Sequence, residues 1–337
     1  MSLLKVENLS VGFRSGKRVL PVIDGLSFEI GRGEILALVG ESGCGKSAGC
    51  LALTKLNVPP AVISSGSAFF ERRSGEAADL LTLSDRELRK IRGGGIAYIF
   101  QEPLSSLNPV LRIGDQIAEV LALHRPGITD RAAETERLLA AVGIPAPRTR
   151  MMNFPHELSG GMQQRVMIAM ALAGNPDLII ADEPTTALDV TIQAQIMELL
   201  EELRRKNGTS VILITHNFGV VAQLADRVAV MYAGRIVESA AVSELISNPL
   251  HPYTKALLAA VPVLGGGKKE LVTIPGQVPS PENFPPGCRF CGRCRELTPR
   301  SGVCCRENVP PVCEVNPGHW VSCWNFAGNC KKDDGLV

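Results

Sequence analysis

The chain has 337 residues, 45% of them hydrophobic and 20% charged, enough to bury one large core or two modest ones. Its 35 Lys and Arg stand against 34 Asp and Glu, a formal charge of +1, and aromatic residues make up 4%. A nucleic-acid partner calls for a basic excess or an aromatic stacking platform, so the composition argues against one. The longest apolar runs are strand-sized, far short of a membrane span. The first nine residues carry acidic and polar side chains where a secretion signal needs an apolar stretch, so a cytosolic chain is expected. Ten cysteines are present, eight of them between Cys288 and Cys330. In a cytosolic chain such crowding points to a metal or iron–sulfur site rather than a disulfide frame.

In chain order, Leu3 to Val11 alternates loosely as a half-buried strand does, and a second such run ends at Phe28-Glu-Ile30. Continuous apolar runs follow at Ile35–Val39, Ile96–Phe100, Leu178–Ala181 and Val211–Thr215, each bounded by Gly, Pro, Asp or Asn. Such runs suit strands buried on both faces of a parallel sheet. Helical patterns lie between them. Thr191 to Arg205 repeats Ile192, Ile196, Leu199 and Leu200 at turn spacing. The alternation predicts an α/β fold. Val228 to Val237 reads as a hairpin turning at Ala233-Gly234. Beyond about residue 262 the composition shifts to Gly, Pro and Cys, with Gly265-Gly-Gly-Lys-Lys269 as a linker to a small appended module.

Three segments carry chemistry. Gly40-Glu-Ser-Gly-Cys-Gly-Lys-Ser47 matches the phosphate-loop pattern and follows the Ile35–Val39 strand, as that mechanism requires. Its glycines let successive N–H groups turn inward on phosphates; Lys46 would reach the β- and γ-phosphates and Ser47 would ligate Mg²⁺. Leu178-Ile-Ile-Ala-Asp-Glu-Pro184 delivers Asp182 to hold Mg²⁺ and Glu183 to polarise a water for in-line attack on a γ-phosphate. Leu158-Ser-Gly-Gly-Met-Gln-Gln-Arg165 opens a helix through about Ala173, and Ser159 with two glycines there makes a second anion-binding concavity. One nucleotide has no use for two such cradles, so this one is read as serving a nucleotide held by a partner subunit.

Taken in order, the phosphate loop, Gln101 after a strand, the Leu158–Arg165 segment, Asp182-Glu183, Leu188-Asp189 and His216 resemble the nucleotide-binding subunit of ABC transporters. The resemblance implies an ABC-type P-loop NTPase of class α/β: a RecA-like parallel-sheet core, an antiparallel β subdomain and an α-helical subdomain, plus the small Cys-rich C-terminal module. Residues 1–262 would form the ATPase domain, with the helical subdomain and signature at about 102–160. Residues 263–337 would form the extension, its cysteine module at 288–323. Two such subunits would sandwich two ATP molecules, each facing the other's signature. By this resemblance Gly40, Glu41, Ser42, Gly43, Cys44, Gly45, Lys46 and Ser47 bind ATP, and Ser47, Gln101 and Asp182 bind Mg²⁺. Glu183 and His216 are implied to be catalytic. Leu158, Ser159, Gly160, Gly161 and Gln163 form the signature, and Asp189 crosses the dimer interface. By the same resemblance Phe13 binds ATP, sitting where the family stacks an aromatic on adenine, although a strand-face core position explains it nearly as well.

Leu80-Leu-Thr-Leu-Ser-Asp-Arg-Glu-Leu-Arg-Lys-Ile-Arg-Gly93, Phe100 to Val110, Glu183 to Ile196 and His251-Pro-Tyr-Thr-Lys-Ala-Leu-Leu258 narrow the resemblance to the oligopeptide/dipeptide/nickel importer ATPases. It covers about residues 3–326. It implies import of di- or oligopeptides, with nickel chelates, short sugars or a soluble, non-transport ABC ATPase as alternatives. The partners implied are a second ATPase subunit, identical or not, two membrane permease subunits and an extracytoplasmic solute-binding protein, with no nucleic acid. The subunit would sit peripherally at the cytoplasmic face of the cell membrane. Ile113, Ile117 and Leu121 recur every four residues; they fit a groove for a membrane subunit's coupling helix or internal packing equally well. For the tail, the family template selects Cys288, Cys294, Cys305 and Cys323 as the ligands of a [4Fe–4S] cluster, with zinc as the alternative and Cys305 taken over its neighbour Cys304. Cys291, Cys313 and Cys330 fall outside that template. Cys44 and Cys50 are read as small fillers.

Overall fold

The computed structural model describes residues 2–184, 190–260, 273–297 and 304–329. Asp189, Leu188 and Cys330 lie outside the described residues. Two sheets organise the chain. The first joins β1 (Ser2–Ser15), β2 (Arg18–Gly31), β4 (Ala61–Glu71) and β5 (Ala77–Asp79), antiparallel, in the order β2-β1-β4-β5.

The second sheet contains β3 (Ile35–Val39), β6 (Ile96–Ile99), β7 (Leu178–Asp182), β8 (Ser210–Thr215), β9 (Arg227–Tyr232), β10 (Arg235–Ala241), β11 (Val312–Asn316) and β12 (His319–Ser322). Its order is β11-β12-β10-β9-β3-β8-β7-β6. From β9 to β6 the pairing is parallel; β10, β11 and β12 continue it antiparallel. All five residues of β3 are buried, because successive side chains enter different cores. Leu36 and Leu38 face the core under the antiparallel sheet, whereas Ala37 and Val39 join the core on the opposite face.

The hairpin between β9 and β10 turns on Ala233 and Gly234, both at positive φ (46° and 85°), the geometry a two-residue hairpin turn needs. A β-carbon at Gly234 would lie 1.9 Å from the Val22 carbonyl oxygen, so this turn tolerates nothing larger than glycine. The helices Ile113–His124, Arg131–Ala141 and Gly160–Ala173 form the helical subdomain. Ile113, Ile117 and Leu121 are fully buried there, packed in one core with Leu138, Leu139 and Val166. Of their two readings, internal packing is the one realised.

The tail departs from the expected appended module. β12 pairs with β10 through Glu238↔Val321 and Ser239↔Trp320, so the last strands extend the core sheet itself. A buried polar knot fixes the seam. Glu238, 0% exposed, accepts from the backbone N–H groups of Leu250 and His251 at 2.8 and 2.9 Å, and its carboxylate lies 2.8 Å from Nε2 of His319, itself 1% exposed along the side chain. Burial pushes the Glu238 carboxyl up, but the hydrogen bonds from His319 and the two amides help to outweigh it and hold the group below its ordinary value. No helix among the described residues is long and apolar enough to cross a membrane.

Candidate active site

The phosphate loop runs from the carboxyl end of β3 into the helix Lys46–Ala52. Gly40 has φ 157°, and a β-carbon there would lie 2.1 Å from the Met231 carbonyl oxygen; the loop is pressed against β9 and must be glycine at that point. Lys46 is 6% exposed, and its ammonium donates to the Gly40 and Glu41 carbonyls at 2.8 and 3.1 Å, curling the loop around the amine. Ser42 and Gly43 are exposed at the crest. Cys44 is buried beneath it and burial raises its thiol pKa, in keeping with a filler. Cys50 is likewise buried and raised by its surroundings. Phe13 lies on β1 with 40% of its surface exposed, so it is not a core residue.

Parallel pairing places the end of β7 beside β8 and hence beside β3. Asp182 closes β7 beside Ser47; burial pushes its carboxyl above the usual range, partly offset by the Ser47 hydroxyl. A hydroxyl and a desolvated carboxylate side by side are a hard-oxygen donor set, which fits Mg²⁺. Glu183 follows in a left-handed conformation, φ 44°, with its N–H donated to the Ile214 carbonyl at 2.9 Å. That uncommon backbone conformation turns its carboxylate toward two residues from other strand ends. Gln101 Nε2 lies 3.4 Å from Oε2 of Glu183, and Nδ1 of His216 lies 3.1 Å from Oε1. Gln101, Glu183 and His216 are separated widely in sequence and converge here.

The helix Gly160–Ala173 begins with Ser159 at its N-cap position, where the serine side chain makes no capping bond and is exposed. Gly160 is exposed too, and a β-carbon on it would meet nothing. Ser159 and Gly160 therefore present a bare helix start outward. Leu158 and Gln163 do not join them. Both are buried, and the Gln163 amide donates to the Pro155 and Leu158 carbonyls at 2.8 and 3.1 Å, bracing the turn from within. Sequence reading missed the next residue. Gln164, 2% exposed, donates to the Pro184 carbonyl at 2.8 Å and ties the signature helix to the segment that carries Glu183.

The ABC transporter family matches residues 23–186, and the oligopeptide/dipeptide transporter C-terminal region matches residues 237–300. An AAA domain described as a putative AbiEii toxin matches residues 153–222. The oligopeptide transport ATP-binding protein AppD of Bacillus subtilis is 48% identical over 327 residues, covering 96% of this chain and 97% of its own length. The dipeptide transport ATP-binding protein DppD of the same organism is 47% identical over 326 residues, 96% of this chain and 94% of its own. The chain belongs to the oligopeptide/dipeptide family of ABC transporter ATP-binding proteins. Among solved structures, the dimeric bacterial ABC transporter cassette MJ0796 superposes with a TM-score of 0.62 at 28% identity, over 71% of this chain and 98% of that one. A second structure of that cassette, a post-hydrolysis dimer bound to ADP and Pi, gives the same TM-score at 27% identity. As an ABC ATP-binding subunit the chain is an ATP hydrolase coupled to transport.

In this ABC subunit the tail packs against the nucleotide domain through the rings of Tyr232, Tyr253 and Phe290, with centroids 4.6 to 5.3 Å apart. Tyr253 belongs to the His251-Pro-Tyr-Thr segment, and its hydroxyl accepts the Glu41 N–H at 2.8 Å, a direct hold on the phosphate loop. A buried tyrosine must place its hydroxyl somewhere, which is the one signal the sequence offered. Cys288, Cys291, Cys294, Cys305 and Cys323 are free thiols lining one small cavity with Phe290 and Trp324. Burial raises the thiols of Cys288 and Cys305 to about 12 and about 11, and those of Cys294 and Cys323 upward as well. Cys304 is not in that lining, and Cys291, outside the template, is. Yet among the described residues no group of three or more His, Cys, Asp or Glu stands in metal-holding geometry. The expected iron–sulfur or zinc site is thus not assembled.

Proposed function

We propose that this ABC subunit powers the uptake of di- and oligopeptides. The carrying observation is that its similarity to relatives named for oligopeptide and dipeptide transport runs along nearly the whole chain, tail included. Neither of these relatives is named for nickel or sugars. Gly40 to Ser47 wrap the triphosphate, Ser47 and Asp182 with Gln101 hold Mg²⁺, and Phe13 meets the adenine. Mg²⁺ supplies charge neutralisation of the β- and γ-phosphates. Glu183 polarises the attacking water, with Gln101 and His216 fixing the carboxylate from either side. Ser159 and Gly160, with Gly161 and Asp189, serve the nucleotide of a second ATPase subunit. Closure of that pair would move two permease subunits, which receive peptide from an extracytoplasmic binding protein. The subunit itself works peripherally, at the cytoplasmic face of the cell membrane. In a reconstituted transporter, ATP hydrolysis should rise several-fold when the binding protein is loaded with peptide. Stimulation by nickel chelates or short sugars, and none by peptides, would overturn the peptide assignment.

Within the same reading, Cys288, Cys294, Cys305 and Cys323 would have to draw together to hold a [4Fe–4S] cluster with a structural role, since the described residues do not stand in metal-holding geometry. The support is chemical: free thiols, partly or fully buried, line one cavity, and soft thiolate ligands suit iron–sulfur clusters or zinc. Protein purified without oxygen should carry iron and acid-labile sulfide in equal amounts. Zinc alone, or no metal, would remove the cluster from this account.

A further inference from the structure

The phosphate loop contains a carboxylate where it must receive an anion. Glu41 follows the first glycine of the loop, and its side chain is partly exposed. An unpaired carboxylate there would repel a triphosphate, since charges in a partly desolvated cleft interact far more strongly than in water. The partner it has comes from the tail. Arg293, in the short turn Cys291–Arg293, places Nη1 2.6 Å and Nη2 3.0 Å from the two Glu41 carboxylate oxygens, a bidentate fork. Its side chain is 8% exposed, and its guanidinium also donates to the Tyr232 hydroxyl at 3.2 Å and the Pro275 carbonyl at 2.8 Å. Among the described residues no other cation pairs with Glu41.

We propose that Arg293 is a positioning residue that cancels the Glu41 charge, so that the cysteine-bearing tail sets the electrostatic field the phosphate loop offers to a nucleotide. This rests on the nucleotide-site reading above. Arg293 stands between Cys291 and Cys294, so the cysteine-bearing segment itself carries the cation that pairs with the Glu41 carboxylate. The tail is then part of the nucleotide site by charge, without touching the nucleotide.

The test is equilibrium binding of Mg·ATP, by a fluorescent analogue and by isothermal titration, to the full-length protein. Arg293→Ala should weaken binding about tenfold, with thermal unfolding used to confirm the fold. Arg293→Gln carries the test if the alanine variant is not recovered folded. Arg293→Lys should recover most of the affinity, because it keeps the charge and loses only the fork. Adding Glu41→Gln to Arg293→Ala should also recover most of it, which a merely structural role for Arg293 would not predict. If the arginine substitution weakens binding equally with Glu or Gln at position 41, or not at all, the proposal is overturned. If the parent protein itself fails to bind Mg·ATP, the reading of the nucleotide site fails instead.

Discussion

Glu183→Gln is expected to lower ATP hydrolysis by about 10²- to 10⁴-fold while Mg·ATP binding persists, the usual range for loss of a general base. The amide fills the same space but keeps only one acceptor oxygen for its two neighbours, and it cannot draw a proton from water. Glu183 is positioned for this task by three separate strand ends: its own at β7, that of Gln101 after β6 and that of His216 after β8. Its positive φ is a further commitment, since a bulky residue occupies the left-handed region only where surrounding structure holds it. Binding and single-turnover hydrolysis measured on the same preparation separate the two effects. Normal turnover by the variant would mean that another group activates the water.

Ser159→Arg should leave nucleotide binding by the isolated subunit within a few-fold of the parent and reduce steady-state hydrolysis in the assembled transporter by about a hundredfold at each site that this signature serves. The reasoning is geometric. Lys46 and the phosphate loop lie at the end of β3, whereas Ser159 and Gly160 are exposed at the start of the signature helix, where the serine side chain makes no capping bond. An exposed helix start with its cap unused is complete only when something anionic arrives from outside. A long arginine there blocks that approach without altering the subunit's own loop. Unchanged hydrolysis would show that the signature acts on nothing beyond its own subunit.

Much of the fold was legible because β3, β7 and β8 are buried on both faces and write themselves as apolar runs with polar ends. Ile35–Val39 is predicted and observed with the same bounds, and Leu178–Ala181 gains only Asp182. The converging trio of Gln101, Glu183 and His216 was legible because each follows such a strand. What sequence could not show are the pairings that no periodicity encodes. Gln164 reaches Pro184, Arg293 reaches Glu41, and His319 reaches Glu238, each across a chain separation that only the folded topology closes. The attachment of the tail to the core sheet was hidden for the same reason. Its Gly, Pro and Cys content announces a separate module, whereas the short strand His319–Ser322 carries too few residues to declare which edge it joins.

That late strand has a consequence for biogenesis. β10 is made long before β12, and until His319–Ser322 emerges the β10 edge that it covers is left with unpaired amides and carbonyls, open to any extended chain nearby. The nucleotide core, whose strands are all present by residue 241, can form first. Pairing of β12 then caps that edge, and a product interrupted shortly before His319 would fold its nucleotide core and leave β10 prone to pair with neighbouring chains.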